Sequence, residues 1–297
     1  MSHRDPVLVA SYPKSGRTWL TVLLGKAIAD TCGLPDRDLF KLFKESGPPR
    51  KAAKCMPAMW FSHDGTQFDA LMMPDDLKRD MSRYQSKVIV LVREPKDVLV
   101  SHYFQLTQRR FFEGETGASA KEKHSALKTM SRNDFCERAG IRLQDGEITM
   151  GAFLRSPMFG ARKVLTHQRN WAKGIPTLQL GGLLVRYEDL HEHPERELQR
   201  IVEFAHIRGM TPDVMQRAIE FARFDSMRGL EETSFFKNER LEPGVKGKVE
   251  TYKTRRGKCG GWRDELSPED VAYVNQVSEE LGHPFYAPTS PIGAAGR

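Results

Sequence analysis

At 297 residues, 39% of them hydrophobic, the chain is long enough for one large α/β domain or two small ones and can bury a proper core. Its 46 basic residues against 39 acidic ones leave a formal charge of +7, which favours an anionic partner such as nucleic acid, a membrane surface, a nucleotide or a sulfated sugar. No stretch approaches the roughly 18 apolar residues of a membrane helix, and Cys32, Cys55, Cys136 and Cys259 form no C-x-x-C pair, so an integral membrane segment, a zinc frame and a disulfide scaffold are all excluded. Free thiols and a first apolar run too short for a signal peptide make a cytoplasmic protein the expectation.

In chain order, residues 7–10 (VLVA) read as a buried strand and 18–30 as an apolar helix. Residues 59–61 read as a strand edge. KVIVLV at 87–92 is β-branched and reads as a second buried strand. Pro95 then suits the first position of a helix running to about 110. GLLVR at 182–186 is a further strand, and 194–204 and 212–224 are helical. Ser267 caps a last helix that Gly282 stops. Residues 112–132 and 235–262 read as irregular loops over a site, and 288–297 as a disordered tail. Strands alternating with helices predict one α/β domain over residues 1–287, with a central parallel sheet and helices on both faces.

Between the first strand and its helix stands SYPKSGRTW, residues 11–19. A strand, a small loop and a helix N-terminus together form a phosphate cradle. Gly16 lets the backbone approach an anion, Lys14 brings a mobile charge, and Ser15 and Thr18 bring hydroxyls. Trp19 offers a flat face to a base. The pattern is similar to a P-loop but lacks the G-x-x-x-x-G-K-[ST] form, because the lysine precedes the only glycine. No acidic residue closes a strand convincingly, so a magnesium-nucleotide site is not supported.

Three later segments point the same way. REPKDVLVS at 93–101 places Arg93 at a strand end and Ser101 in the next helix, where open α/β sheets bind ligands. Arginine suits a dianionic phosphate through paired hydrogen bonds. Lys96 and Asp97 read as a solvated first helical turn. RRGKCGGW at 255–262 is a basic glycine-rich loop. YEDL at 187–190 and FDSM at 224–227 each bring an aromatic residue.

Taken in this order, the segments resemble those of the PAPS-dependent sulfotransferases (PAPS is 3′-phosphoadenosine 5′-phosphosulfate). That family carries P-K-[ST]-G-T-T-W, R-[ND]-P-K-D-V-x-V-S and R-K-G-x-x-G-x-W; here Arg17, Glu94, Arg256 and Gly261 depart from it. The resemblance implies a P-loop-NTPase-like fold without a metal. It assigns Lys14, Ser15, Gly16, Arg17, Thr18 and Trp19 to the 5′ end of the donor, Arg93, Ser101, Arg255, Arg256 and Gly257 to the 3′-phosphate, and Tyr187 and Phe224 to the adenine. Lys14 would neutralise the leaving phosphate, and Ser101 joins the catalytic set.

The acceptor must lose a proton, and a histidine is the natural base. His63, after the strand edge, fits the histidine of the family's K-x-H segment, although Phe61 stands where its lysine would be. Asp64 would orient its ring, or form a plain turn with Gly65. His102 is the second choice; His124, His167, His191, His193, His206 and His283 read as surface residues. Phe68, Met72, Met73, Phe104, Phe111, Phe112 and residues 235–249 are candidates for lining the acceptor pocket. The expected reaction sulfates a hydroxyl or amine of a small, apolar or amphipathic acceptor, with no nucleic-acid partner. A P-loop small-molecule kinase is the alternative. The family's K-x-x-x-T-V-x-x-x-E dimer motif is absent from 263–269, and the oligomeric state is not legible.

Overall fold

The computed structural model describes residues 4–63, 81–109, 131–283, 285 and 286. These form two compact units: residues 4–63, 81–93 and 174–257 in the first, and 94–109, 131–173, 258–283, 285 and 286 in the second. The strands are β1 (Val7–Ser11), β2 (Met59–Ser62), β3 (Lys87–Val92) and β4 (Gly182–Arg186). The α-helices among the described residues are α1 (Arg17–Cys32), α2 (Pro95–Phe104), α3 (Arg132–Ala139), α4 (Met150–Leu154), α5 (Ala161–Gly174), α6 (Tyr187–Glu192), α7 (Pro194–Phe204), α8 (Pro212–Phe221), α9 (Phe224–Glu232) and α10 (Pro268–Leu281).

All four strands belong to the first unit and pair in parallel, in the order β2-β1-β3-β4. β1 is central, with Val7 opposite both Met59 and Lys87. Both sheet faces are buried: Val7, Val9, Ile89 and Leu91 on one, Leu8, Val88 and Val90 on the other. This explains why the strands read as unbroken apolar runs rather than alternating ones. Val7, Val9, Ile89, Leu91 and Val185 share a core with Leu20, Leu23, Leu24, Ala27 and Ile28 of α1 and with α7 and α8. The parallel sheet flanked by helices is the expected architecture.

Helix ends follow local chemistry. Pro95 opens α2, and Ser267 caps α10 by accepting the Asp270 N–H, as the sequence predicts. Gly282 closes α10 in the left-handed conformation. Residues 105–109 continue α2 as a π-turn. The helix expected over 212–224 breaks in two. Arg223 adopts an extended conformation, Ser226 Oγ donates to Phe221 O at 2.7 Å, and Phe224 begins a new helix. The second unit holds α2 to α5 and α10 around Leu99, Phe135, Phe153, Phe159 and Trp171, all within 1% of full burial. The sequence reading assigned nothing to α3, α4, α5 or α6. The irregular 235–262 segment contains only short 3-10 turns, at Glu239–Leu241, Val249–Thr251 and Gly261–Asp264. The 288–297 tail and most of the 112–132 loop lie outside the described residues. No described helix is long and apolar enough to cross a membrane.

Leu24 has no exposed surface and sits in the α1–sheet core, whereas Leu180 is 38% exposed. Leu24→Ala should cost about 2–5 kcal/mol in urea denaturation, and Leu180→Ala about 0.5 kcal/mol or less.

Candidate functional site

The 11–19 segment leaves the sheet at Ser11 and turns sharply, with Ser15 N–H donating to Tyr12 O at 3.3 Å. Lys14 and Gly16 both have positive φ, 73° and 97°. At Gly16 a side chain is impossible for a second reason: a Cβ would stand 2.4 Å from a ring carbon of Tyr187. Arg17 then starts α1 with no side-chain cap and no acidic residue in its first turn. Its leading N–H groups carry the positive end of the helix dipole. Beside them Ser15 is fully buried, and its hydroxyl has no hydrogen-bond partner among the described residues. A buried orphan hydroxyl at a bare helix N-terminus fits an anion that supplies the missing bonds.

An aromatic and cationic wall stands over this loop. Tyr187, the first residue of α6, packs edge-on to Trp19 with centroids 5.2 Å apart. The Arg93 guanidinium lies 4.4 Å from the Tyr187 ring centre, and Nη1 donates to Lys14 O at 3.4 Å. Trp19 is anchored by its indole N–H, which donates to Ala222 O at 2.8 Å. Lys14, Ser15, Gly16, Trp19, Arg93 and Tyr187 therefore meet in the first unit.

Phe224, Arg255, Arg256 and Gly257 form a second cluster in that unit. Gly257 has φ 60°, and a Cβ there would lie 2.0 Å from the Phe224 ring, so the ring covers the glycine directly. Arg228 Nη2 donates to Thr254 O and Arg255 O at 2.5 and 2.8 Å, and its guanidinium lies between Phe224 and Tyr252. Glu231 has no exposed surface. Its carboxylate accepts the Lys253 N–H, the Thr254 N–H and the Thr254 hydroxyl at 2.8, 2.9 and 2.8 Å. Arg256 points outward, exposed; Arg255 is half-buried.

His63 follows β2 by one residue, and its Nδ1 is 3.0 Å from Ser11 O. A carbonyl only accepts, so Nδ1 carries the proton of the neutral ring and Nε2 is the basic nitrogen. Burial, then the charges of Arg17, Lys253 and Lys14, push its pKa down to about 3, and the Ser11 contact only partly offsets them. Among the described residues no group of three or more His, Cys, Asp or Glu side chains could hold a metal ion.

Residues 4–285 match the family described as the sulfotransferase domain. The chain belongs to this family. Cytosolic sulfotransferase 17 of Arabidopsis thaliana is 22% identical over 289 residues, spanning 92% of this chain and 72% of its own length. Sulfotransferase 1A1 of Canis lupus familiaris is 24% identical over 269 residues, spanning 87% and 77%. Mouse sulfotransferase SULT7A1, solved in complex with PAP, superposes with a TM-score of 0.54 at 18% identity, covering 94% of this chain and 85% of its own. Retinol dehydratase, solved with retinol and PAP, gives 0.53 at 18%, covering 95% and 82%. The likeness to the solved structures is one of fold, the P-loop-NTPase-like parallel sheet flanked by helices.

Within this sulfotransferase domain several sequence expectations change. Lys96 and Asp97 are not a solvated turn; they are 4% and 3% exposed. In the second unit Asp97 accepts the N–H groups of Gly260 and Trp262 at 2.7 and 2.9 Å, and Lys96 pairs with Glu94 at 3.2 Å. A charge four or five places after a strand end that is needed inside looks the same in sequence as one left in water. Ser101 is half-buried on α2 in the second unit. His102, the second choice of base, is a core residue of that unit, 1% exposed against Phe153 and Phe159. His167 is also buried at 1%, and His283 bonds to Gln168 at 2.8 Å, so neither is a simple surface residue. Glu231 and Arg228 were missed; their only signal is three-residue spacing on the helix that starts at Phe224. All four cysteines are free thiols, and burial, with a hydrogen bond to the Cys55 thiol second, pushes the Cys32 pKa up to about 12. Asp64, Gly65, Phe68, Met72, Met73, Phe111, Phe112 and His124 lie outside the described residues.

Glu231→Ala removes the acceptor for three buried donors, a loss of about 1–3 kcal/mol. It should speed hydrogen exchange at the Lys253 and Thr254 amides selectively. A second expectation concerns acid stability. His63 has a pKa of about 3 in the fold against 6.5 ordinarily. Between these values the unfolded chain binds the extra proton, so stability falls as pH drops from 6.5 toward 3. His63→Gln should flatten that part of the melting-temperature profile.

Proposed function

We propose that this sulfotransferase domain transfers the sulfuryl group from PAPS to a hydroxyl or amine of a small, apolar or amphipathic acceptor. The observation that carries the reading is the 11–19 loop: an uncapped helix N-terminus beside a fully buried Ser15 hydroxyl without a partner among the described residues. Lys14, Ser15 and Thr18, with the backbone of Gly16 and Arg17, would hold the 5′-phosphate. Trp19, Tyr187 and Phe224 would face the adenine. Arg93, Arg255, Arg256 and Gly257 would hold the 3′-phosphate; Ser101 stays in that set, and in the catalytic one, on its motif alone. Residues 1–287 act as one sulfotransferase domain, the family match running through both units.

The bound donor would supply an activated sulfuryl group and a phosphate leaving group. His63, fixed by Ser11, takes the acceptor proton at Nε2. Lys14, held in a left-handed conformation at the loop, neutralises charge that develops on the bridging oxygen. Lys, Arg and backbone dipoles serve here without a metal. The family match speaks against a small-molecule kinase. A cytoplasmic site of action rests on the cytosolic relatives.

The test is transfer of labelled sulfuryl from PAPS to a panel of phenols and alcohols in the presence of EDTA. Transfer should proceed, and His63→Ala should lower kcat/KM by roughly 10²–10⁴-fold. Because burial and nearby cations hold His63 neutral down to about pH 3, the acid limb of kcat/KM for the free enzyme should lie below neutrality, with the rate lost only as pH falls toward that value. Undiminished transfer by His63→Ala, or transfer from ATP and magnesium instead, would contradict the reading.

A further inference from the structure

Phe224, Arg228 and Glu231 fall at i, i+4 and i+7, so one face of α9 carries all three. That face holds the segment ending in Arg255, Arg256 and Gly257, and all of it lies in the first unit. Glu231 takes the N–H groups of Lys253 and Thr254. Arg228 bonds in the opposite sense one residue further on: a single nitrogen, Nη2, donates to both Thr254 O and Arg255 O. Its guanidinium lies 5.2 Å from the ring centre of Phe224 and 5.6 Å from that of Tyr252.

Bracing the loop does not by itself require this residue. Glu231 already ties the segment with three bonds. Arg228 adds a half-buried charge, and its Nε is buried with no hydrogen-bond partner among the described residues. Such a group costs stability. Its use lies on the far side of the two amides. In a planar trans peptide the C=O and the N–H point in opposite directions. The carbonyls of Thr254 and Arg255 are turned onto Arg228, so the N–H groups of Arg255 and Arg256, which share those amides, are turned away from it. A carbonyl that accepts from a cation is polarised, and the N–H of the same amide becomes a stronger donor. Successive N–H groups aimed one way make an anion-binding concavity. Gly257, left-handed at φ 60° and covered by the Phe224 ring, bends the chain at that point.

We propose that Arg228 is the positioning residue for the donor's 3′-phosphate: from behind the loop it turns the amides of Arg255 and Arg256 toward that phosphate and strengthens them as donors, without touching the nucleotide itself. The inference rests on the donor reading above and adds to it a residue outside the phosphate-binding motifs.

The experiment titrates adenosine 3′,5′-bisphosphate and 5′-AMP into the full chain and into its Arg228→Met and Arg228→Lys variants. Methionine keeps an apolar stem between Phe224 and Tyr252 and removes both donors. The preference for the bisphosphate, about tenfold or more in the wild type, should fall below about threefold in Arg228→Met and recover in part in Arg228→Lys. Loosening of Phe224 would weaken both nucleotides alike and cancels in the ratio. In the wild-type chain, the amide NMR signals of Arg255 and Arg256 should move downfield with the bisphosphate and not with 5′-AMP, a readout that does not depend on the variants folding. An unchanged ratio in Arg228→Met, or wild-type amide signals that respond equally to both nucleotides, overturns the inference while the donor reading stands. A wild-type chain with no preference for the bisphosphate would sink the donor reading, and this inference with it.

Discussion

The site depends on the contact between the Gly16 backbone and the ring of Tyr187. The ring occupies the space where any side chain at position 16 would be. That contact fixes the start of α6, which follows the edge strand β4, against the start of α1, which follows the central strand β1. Because the ring is held there, Arg93 can stack on it at 4.4 Å and reach back to Lys14 O. Because the glycine takes a left-handed φ, the chain enters α1 without a cap, and its N–H groups are left for a ligand. One steric requirement thus aligns a cation, an aromatic face and a helix dipole on one small loop.

Elsewhere the same logic is carried by buried charge. Glu231 and Asp97 are almost wholly withdrawn from water, and each is satisfied by backbone N–H groups of a glycine-rich or irregular segment. A carboxylate that accepts several backbone donors restrains a loop more firmly than apolar packing alone, because losing it strands all the donors at once. Residues 253–254 are pinned this way in the first unit and residues 260–262 in the second. Phe224 then lies over Gly257 as a second steric lock. The basic loop is therefore ordered by acidic residues beneath it, while Arg256 is left exposed. His63 follows a related rule: its Ser11 contact settles the tautomer, and burial, helped by the nearby cations, holds the ring neutral.

Much of this was legible because strand runs, proline starts and glycine stops are local signals. β1, β3 and β4, Pro95 and the Ser267 cap all stand where sequence put them, since each depends on a few adjacent residues. The break between α8 and α9 was hidden, because nothing in the apolar pattern marks the extended Arg223. The helices α3 and α4 carry good caps at Ser131 and Thr149 but are only eight and five residues long, and they were passed over together with α5. Site residues were readable where they sit in short motifs. The supporting ones were not: the burial of Asp97 and Glu231 is set by segments 163 and about 22 residues away in sequence. His102 and His167 show the reverse error, polar residues whose flanks gave no hint that they lie in a core.

The central claim is that the 11–19 loop and Arg93 form a site for a nucleotide phosphorylated at both ends of its ribose. The most direct measurement is calorimetric titration, without magnesium, of adenosine 3′,5′-bisphosphate against 5′-AMP on the wild-type chain and on Arg93→Ala. The account predicts a marked preference for the bisphosphate in the wild type, at least tenfold, that disappears in the variant, as loss of a charge-assisted phosphate contact requires. Equal affinity for the two nucleotides, or a preference that survives Arg93→Ala, would contradict it.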